Sequence, residues 1–141
     1  MISLKATLEA IKTKLSAHDK ALSVDYIVEQ GTSGIWTYRK WNSGIAECWG
    51  TKALDFKITS SWGGMYDGYG LKEGIAYPTG LFIENPAFFL GTNSADSGFM
   101  FKQWSETQGS STKTPSIMGC RPTSTSSFSA TVCLRAIGKW K

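Results

Sequence analysis

Residues 127–137 read Ser-Phe-Ser-Ala-Thr-Val-Cys-Leu-Arg-Ala-Ile, with an apolar residue at nearly every second place. In an extended chain, successive side chains point to opposite faces of a sheet. One face is therefore predicted to carry Phe128, Ala130, Val132, Leu134 and Ala136. The opposite face takes Ser129, Thr131, Cys133, Arg135 and Ile137. The alternation predicts a β-strand whose two faces differ in character.

Short segments of this kind, separated by turn residues, extend over most of the chain. Asn42-Ser43-Gly44 is predicted to be a three-residue hairpin loop with Gly44 at positive φ. Residues 62–70 are rich in Gly and aromatic residues and are expected to form a loop. The predicted strands cover residues 24–30, 35–41, 45–50, 53–60, 76–78, 81–84, 87–91, 99–104, 116–121 and 127–137. The pattern favours a mainly β fold, with an antiparallel β-sandwich head over residues 24–141.

Residues 1–23 follow a different period. Apolar residues recur at steps of three and four, the a and d spacing of a coiled coil. The predicted seam consists of Leu4, Leu8, Ile11, Leu15, His18 and Leu22, and Met1 continues the same ladder. We expect a short α-helical coiled-coil stalk that buries this seam against copies of itself, with a helix folded back on its own head as the alternative. The mixture of Leu and Ile at the a and d positions does not distinguish a two-stranded from a three-stranded coiled coil. A coiled coil of three heptads is only marginally stable, so we expect contacts of the head to help hold the oligomer together.

His18 occupies a d position of that seam. We interpret it as a neutral polar residue that the core of the stalk tolerates. The alternative is a ring of histidines around a symmetry axis, which would hold water or an anion and weaken on acidification. In either case, replacing His18 with Ile is expected to raise the thermal stability of the stalk if the register is correct.

The composition suits one compact domain with its own core. The 141 residues are 41% hydrophobic and only 18% charged, with fifteen Gly, which favours a β body over disorder. The formal net charge is +4, but Lys and Arg are scattered without a basic stripe, so nucleic acid binding is not expected. The N-terminus is amphipathic and no run is long enough to span a membrane, so we expect neither a signal peptide nor membrane insertion, and synthesis in the cytoplasm.

The cysteines are Cys48, Cys120 and Cys133, an odd number without metal-ligand spacing. We expect reduced and mostly buried thiols, with one disulfide between two of them as the alternative. Because the chain has a single His, a Cys/His zinc site, a Ser-His-Asp triad and a Cys-His pair are not expected. No phosphate loop or calcium loop is present, and no cofactor is expected.

Two stretches resemble a known family. Residues 34–50 (Gly-Ile-Trp-Thr-Tyr-Arg-Lys-Trp-Asn-Ser-Gly-Ile-Ala-Glu-Cys-Trp-Gly) and residues 134–141 (Leu-Arg-Ala-Ile-Gly-Lys-Trp-Lys) resemble the two ends of a C-terminal module of tail-fibre and minor structural proteins of tailed phages and prophages. In that family the ending is commonly Ala-Ile-Gly-Arg-Trp-Lys, and Lys139 here replaces the Arg, which keeps the charge but loses the planar fork. The resemblance implies a homotrimeric β-sandwich tip at the distal end of a fibre, in the virion.

A receptor-binding tip calls for a surface that holds sugars through aromatic faces and polar side chains that bind hydroxyls. The predicted ligand-binding set consists of Trp62, Tyr66, Asp67, Tyr69 and Trp104. The alternative is that these aromatic residues cap the sandwich or pack across the subunit interface. Four other aromatic residues are interpreted as structural, in the hairpin around residue 43 and its neighbours: Trp36, Tyr38, Trp41 and Trp49.

Three functions follow from this reading. The first is a trimeric phage tail-fibre or receptor-binding tip that attaches to a bacterial surface glycan or teichoic acid, with three-fold avidity. The second is a trimerisation and end-capping domain of a fibre that has no ligand of its own. The third is a polysaccharide hydrolase with two catalytic carboxylates. We expect no enzyme activity, because no short spacing singles out a carboxylate pair.

Overall fold

The computed structural model of the chain describes residues 4–22, 25–95, 100–103 and 108–141, with side chains for all of these except residues 18–22 and 100–103. In this part of the chain, one helix precedes a series of strands, so the fold is mainly β. The elements are α1 Leu4–Leu22, β1 Ile27–Ser33, β2 Trp36–Trp41, β3 Ile45–Ile58, β4 Ser60–Trp62, β5 Met65–Leu71, β6 Ala87–Ala95, β7 Met100–Gln103, β8 Ile117–Arg121 and β9 Thr125–Lys139.

The strands form two antiparallel sheets. The first has the order β1-β2-β3-β9-β6, and the second has the order β4-β5-β8-β7. Strands β3 and β9 are the longest, and they pair from Ile45 opposite Lys139 to Ile58 opposite Thr125. After Thr59 the chain passes from β3 into β4, so one extended segment belongs first to one sheet and then to the other.

Strand β9 confirms the predicted alternation. The five residues of its apolar face are all buried, between 0% and 5% exposed: Phe128, Ala130, Val132, Leu134 and Ala136. On the other face Cys133 and Arg135 are exposed, while Ser129, Thr131 and Ile137 are half-buried. On β3, Leu54 and Ile58 are buried and Phe56 is half-buried, which confirms the face predicted for them. The core therefore lies on one side of the five-stranded sheet.

The second sheet packs against this core at close range because glycines face it. A Cβ built on Gly119 would lie 2.8 Å from the ring of Phe56, and one on Gly68 would lie 1.7 Å from the backbone oxygen of Lys57. Phe56 packs edge-on against Phe128, with ring centroids 5.5 Å apart. Since these positions leave no room for a side chain, the glycines set the distance between the sheets.

The hairpin loop and the C-terminus support each other. Gly44 has a φ of +94°, which confirms the predicted loop. Its carbonyl accepts a 2.9 Å hydrogen bond from the Trp140 backbone N–H, and the Trp140 indole Nε1 donates to the carbonyl of Trp41, also at 2.9 Å. Trp140 is half-buried against the core. The last residues of the chain are thus fixed to the β2–β3 loop.

Three local predictions are wrong. Residues 62–70 form not a loop but a hairpin, in which Gly63, at φ +60°, and Gly64 join β4 to β5. Residues 76–78 and 81–84 are not strands, apart from one isolated bridge from Ala76 to Lys113. Pro78 has no N–H to donate, and Gly80 turns the chain at φ +68°. This segment instead contributes buried side chains to the core: Tyr77, Leu81 and Phe82.

The N-terminal helix is present as predicted, and its seam is exposed. Every residue from Leu4 to Ala17 is exposed, and Leu4, Leu8, Ile11 and Leu15 are between 51% and 86% exposed. The helix therefore does not fold its apolar seam back on the head over this range. Met1 and the side chains of His18 and Leu22 lie outside the described residues. No helix of the described chain combines the length and apolarity needed to cross a bilayer.

Cys48, Cys120 and Cys133 form no disulfide. Cys48 and Cys120 are buried as expected, and burial raises the pKa of the Cys48 thiol to about 12. Cys133 is exposed on the outer face of β9. The expected reduced state therefore holds for all three cysteines, and the expected burial holds for two of them.

Candidate ligand-binding surfaces

The outer face of the five-stranded sheet, the side away from the core, carries a row of four side chains from four strands. The register places Thr37 opposite Trp49, Trp49 opposite Arg135, and Arg135 opposite Phe89. Directly opposed residues of antiparallel strands share a face, with Cβ atoms about 4.5–5.5 Å apart. The row is therefore held by the hydrogen-bond ladders of β2, β3, β9 and β6 and not by a loop.

An open groove of about 640 Å³ follows this row, and we call it the outer groove. Its lining includes Trp49, Arg135, Thr37 and Thr51 together with Phe89, which is 54% exposed.

The floor of the outer groove is open at Gly91. A Cβ built on Gly91 would meet only the Cβ of Cys133, at 3.9 Å. Both residues line the groove, and the exposed Cys133 thiol belongs to it as well. The absence of a side chain at Gly91 thus leaves space that a larger residue would fill.

Charged groups lie at the centre of this face. Arg135 donates from Nε to Oε2 of Glu47 at 3.1 Å and from Nη2 to the same oxygen. The Glu47 carboxylate is nearly buried, whereas the Arg135 side chain is 55% exposed. The guanidinium of Arg39 lies over the Trp49 ring, 5.0 Å from its centroid. This part of the sheet therefore carries charged groups of both signs, and Glu47 fixes the orientation of Arg135.

A second hollow of about 290 Å³ adjoins the outer groove and shares Arg135 with it. It is lined by Asp25, Trp41, Ile45, Glu47, Arg135 and Ile137. Ile45 is exposed, and Asp25 accepts hydrogen bonds from Ser43 through both carboxylate oxygens. This hollow lies at the end of the sheet where the chain enters β1 from the helix.

The β4–β5 hairpin places the residues predicted to bind a ligand on two different faces of the second sheet. Trp62 lies opposite Met65 and Ser60 lies opposite Asp67, so Trp62, Asp67 and Tyr69 share one face of the second sheet. Tyr66 lies on the other face and packs against the buried cluster that contains Phe128. Trp104 lies outside the described residues. The structure therefore brings three of the five predicted residues to one surface, and Tyr66 is a packing residue.

The residues of this hairpin surface differ in exposure, and Asp67 and Tyr69 are half-buried. Trp62 is 46% exposed at the end of β4. Tyr69 is half-buried, and the ammonium of Lys72 lies 5.7 Å from its ring centroid. The surface offers aromatic rings beside one carboxylate, Asp67, and is the second candidate for a sugar-binding site.

The aromatic residues predicted to be structural differ in burial and in location. Trp36 is 2% exposed, donates from Nε1 to the carbonyl of Ala76 at 2.7 Å and packs against Tyr77, so its structural role is confirmed. Tyr38 borders the core and donates its hydroxyl to Glu29 at 3.1 Å. Trp49, by contrast, is half-buried in the outer groove. Trp41 is half-buried beside the second hollow.

A polar cluster connects the edge strand β1 to β2. Lys40 donates to Oε2 of Glu29 at 2.9 Å, and Tyr38 donates to Oε1 of the same carboxylate. The hydrogen bond from Lys40 lowers the pKa of Glu29, and the hydrogen bond to Glu29 raises the pKa of Tyr38. These three groups satisfy one another, which indicates a structural cluster on the sheet edge.

Several carboxylates of the head form ion pairs or hydrogen bonds with neighbouring side chains. Glu47 binds Arg135, Glu29 binds Lys40, Glu84 binds Lys139, and Asp55 accepts a hydrogen bond from Ser129. Among the residues that the structure describes, no group of three or more His, Cys, Asp or Glu side chains is placed to hold a metal ion.

The outer groove was not predicted from the sequence. The alternation in β9 predicts that Arg135 and Cys133 share one face, so this part of the groove could be deduced from the sequence. The partners of this face are Trp49, Phe89 and Gly91, and they arrive through pairings between strands that are far apart in the chain. Local patterns do not specify which strands become neighbours, so the composition of the groove could not be deduced.

Comparisons with known proteins identify no relative: no family model matches the chain, and neither the curated proteins nor the solved structures contain a significant match.

Proposed function

We propose that this chain is a receptor-binding tip of a bacteriophage or prophage tail fibre. In this proposal α1 forms a three-stranded coiled coil, and the β head attaches the particle to a glycan or wall polymer on a bacterial surface. The protein then belongs to the virion, at the end of a fibre. The observation that carries the proposal is the exposed heptad seam of α1 joined to a head that already has its own core.

The exposed seam supports self-association. Leu4, Leu8, Ile11 and Leu15 leave most of their surface in water, at 86%, 51%, 56% and 60% exposure. Complete burial of one such side chain stabilises by about 1.5–3 kcal/mol. A parallel assembly of identical helices buries all four in register, since a and d residues of each chain meet their own counterparts.

The start of the head extends the apolar surface. Tyr26 just before β1, Ile27 and Val28 at its start, and Ile45 at the start of β3 are between 39% and 47% exposed. We call these four residues the stalk-proximal strip. Exposed large apolar side chains close to the helix in sequence are available to an interface between heads. The strip lets the heads contribute to the assembly, which three heptads of coiled coil require.

An assembly of three chains is consistent with the resemblance of residues 34–50 and 134–141 to fibre tips. A fibre needs parallel chains in register, and a coiled coil that enters a β head supplies both. Three weak sites on one particle then act together, because the second and third contacts are intramolecular once the first has formed. The formal net charge of +4 suits an anionic wall polymer.

The test is a cell-binding assay in which the oligomer mass is measured on the same sample. The intact protein is labelled with a fluorophore on an engineered C-terminal tag and added to a panel of Gram-positive and enteric strains. We expect saturable binding to some strains, and much weaker binding by a Leu8→Asp/Leu15→Asp variant that is monomeric. An oligomer that binds no strain and no purified wall polymer would contradict a receptor-binding role.

The stalk-proximal strip also favours a second candidate function, a trimerisation and end-capping domain without a ligand. Under that function the apolar surface of the head serves assembly alone. An intact trimer with no affinity for any host surface is the expected result. Release of reducing sugars from a host wall preparation would instead support a hydrolase and contradict both non-enzymatic functions.

A further inference from the structure

We infer that the outer groove binds an anionic sugar unit, a sugar or polyol residue that carries a carboxylate or a phosphate. This inference rests on the proposed function and assigns a site and a ligand class to it. The residues that carry it are Trp49, Phe89, Arg135 and the open position at Gly91.

The dimensions of the groove fit a small ligand or one segment of a polymer. Its volume of about 640 Å³ lies within the range typical of small-molecule pockets, about 300–1,000 Å³. The groove is open to solvent, so a segment of a polymer can reach it. Its floor consists of β3, β9 and β6, which the ladders hold rigidly, so little conformational freedom is lost on binding.

Aromatic and polar groups alternate along the row. Phe89 lies beside Arg135 on one side and Trp49 lies beside it on the other. Phe89 presents more than half of its side-chain surface to solvent, which is apolar area for the C–H face of a sugar. Thr37 and Thr51 line the same groove and bring hydroxyl groups that can donate to or accept from sugar hydroxyls.

Arg135 supplies the preference for an anion. A guanidinium has five N–H donors in a planar fork, and Glu47 accepts from Nε and Nη2. The nearly buried Glu47 holds the exposed guanidinium in a fixed orientation at the centre of the groove. Arg39, over the Trp49 ring, places a second guanidinium on the same face of the sheet. Carboxylate and phosphate oxygens are the groups that such an arginine binds most strongly.

Charge distribution favours a ligand over a second copy of the chain as the occupant. Protein interfaces are depleted in acidic residues, whereas the nearly buried carboxylate of Glu47 lies at the centre of this face. The stalk-proximal strip is apolar and adjoins the helix in sequence, so it suits self-association better.

The native Cys133 thiol provides a direct probe, because it lines the groove while the other two thiols are buried. We expect a maleimide to label Cys133 in the folded protein. Wall teichoic acid with a poly(ribitol phosphate) backbone or polygalacturonate should slow the labelling at least several-fold, and neutral dextran should not. Comparison of the two polymers distinguishes a phosphate from a carboxylate ligand. Maleimide-modified protein should no longer bind the polymer that protects it.

Variants define the groove independently. Phe89→Ala and Gly91→Leu should each lower affinity for the protecting polymer about tenfold or more, because one removes an aromatic contact and the other fills open space. Arg135→Lys keeps the charge but loses the fork, and should weaken binding of the anionic polymers. Ile83→Ala, which truncates an exposed apolar residue that does not line the groove, is the matched control and should leave affinity unchanged.

The outcomes separate the site from the function. Cell binding that survives the Phe89 and Gly91 substitutions but is lost in Trp62→Ala would overturn the outer groove and leave the receptor-binding function intact. The same holds if the protein binds cells and neither anionic polymer protects Cys133. A change in oligomer mass on Phe89→Ala would identify the groove as a self-interface and overturn the inference. Failure of the unmodified protein to bind any strain or polymer would contradict the proposed function itself.

Discussion

The apolar side chains of α1 and those of the head lie in opposite environments. In the head, Phe128, Val132 and Leu134 are at most 2% exposed and pack within the same chain. In α1, Leu8 and Leu15 are 51% and 60% exposed. The head therefore has a core of its own, whereas the helix has an amphipathic pattern whose apolar side is not covered by the head.

Under the proposed assembly, the stabilities of the two regions depend on protein concentration in different ways. An isolated helix of this length is marginal in water, and most helical stability in proteins comes from packing of the apolar face. A head with a buried core can fold as one chain. We therefore expect substitutions in the head to change stability at any protein concentration, and substitutions in the helix to change stability through assembly.

The largest effect is expected for Phe128→Ala in the head. The Phe128 ring is 1% exposed and packs edge-on against Phe56, so truncation leaves a cavity between the sheets. We expect a loss of about 3–5 kcal/mol in the free energy of unfolding of the head. Urea denaturation followed by Trp fluorescence measures it. A loss that varied strongly with protein concentration would contradict an independent core.

A matched glycine pair in the β4–β5 region tests the close approach of the two sheets. At Gly68 an added Cβ would collide with the Lys57 carbonyl, whereas Gly64 has nothing within 4 Å and its φ is not positive. Gly68→Ala should cost about 1–3 kcal/mol of head stability, and Gly64→Ala should be nearly neutral. Equal effects in the two variants, measured by urea denaturation, would show that Gly68 does not set the distance between the sheets.

Dilution should affect the helix and spare the head. Because assembly stabilises the associated form by mass action, the melting temperature of the helix should fall by several degrees at each tenfold dilution. Circular dichroism at 222 nm follows the helix, and Trp fluorescence follows the head. A helical transition that stayed at one temperature across the dilution series would contradict a seam buried between chains.

The smallest effect concerns the edge of the head. The hydrogen bond from Lys40 lowers the pKa of Glu29, so the folded state favours the carboxylate. This contribution is present above the pKa of the unfolded group, about 4.3, and is lost as the pH falls through the lower folded pKa. Glu29→Gln should therefore make head stability slightly less dependent on pH in the acid range. Because the cluster is exposed, a large difference between the two pH profiles would contradict this assignment.

Parts of the fold that depend on local pattern were predictable from the sequence. The two faces of β9, the positive φ of Gly44 and the N-terminal helix all follow from short-range periodicity or turn chemistry. The β4–β5 hairpin was missed because Gly68 and Gly70 resemble loop residues. Their function is visible only when the second sheet packs against Leu54 and Phe56.

The candidate site depends on pairings that the sequence does not display. The predicted set of Trp62, Asp67 and Tyr69 shares one face, but Tyr66 turns towards the core because alternation in a strand separates neighbours. Trp49 was interpreted as structural, since nothing local indicates that β6 pairs with β9 and brings Phe89 into the same row. The register of long-range strands, not residue type, determines the outer groove.

The most direct test of the account is the mass of the intact protein in solution by sedimentation equilibrium. We predict three times the chain mass of 15.4 kDa for the unmodified protein. The variant Leu8→Asp/Leu15→Asp should sediment as a monomer with an unchanged head. The control Ala6→Asp/Thr13→Asp, which places the same charges away from the a and d positions, should remain a trimer. A monomeric unmodified protein at micromolar concentration, or equal masses for both variants, would contradict the assembly on which the proposed function depends.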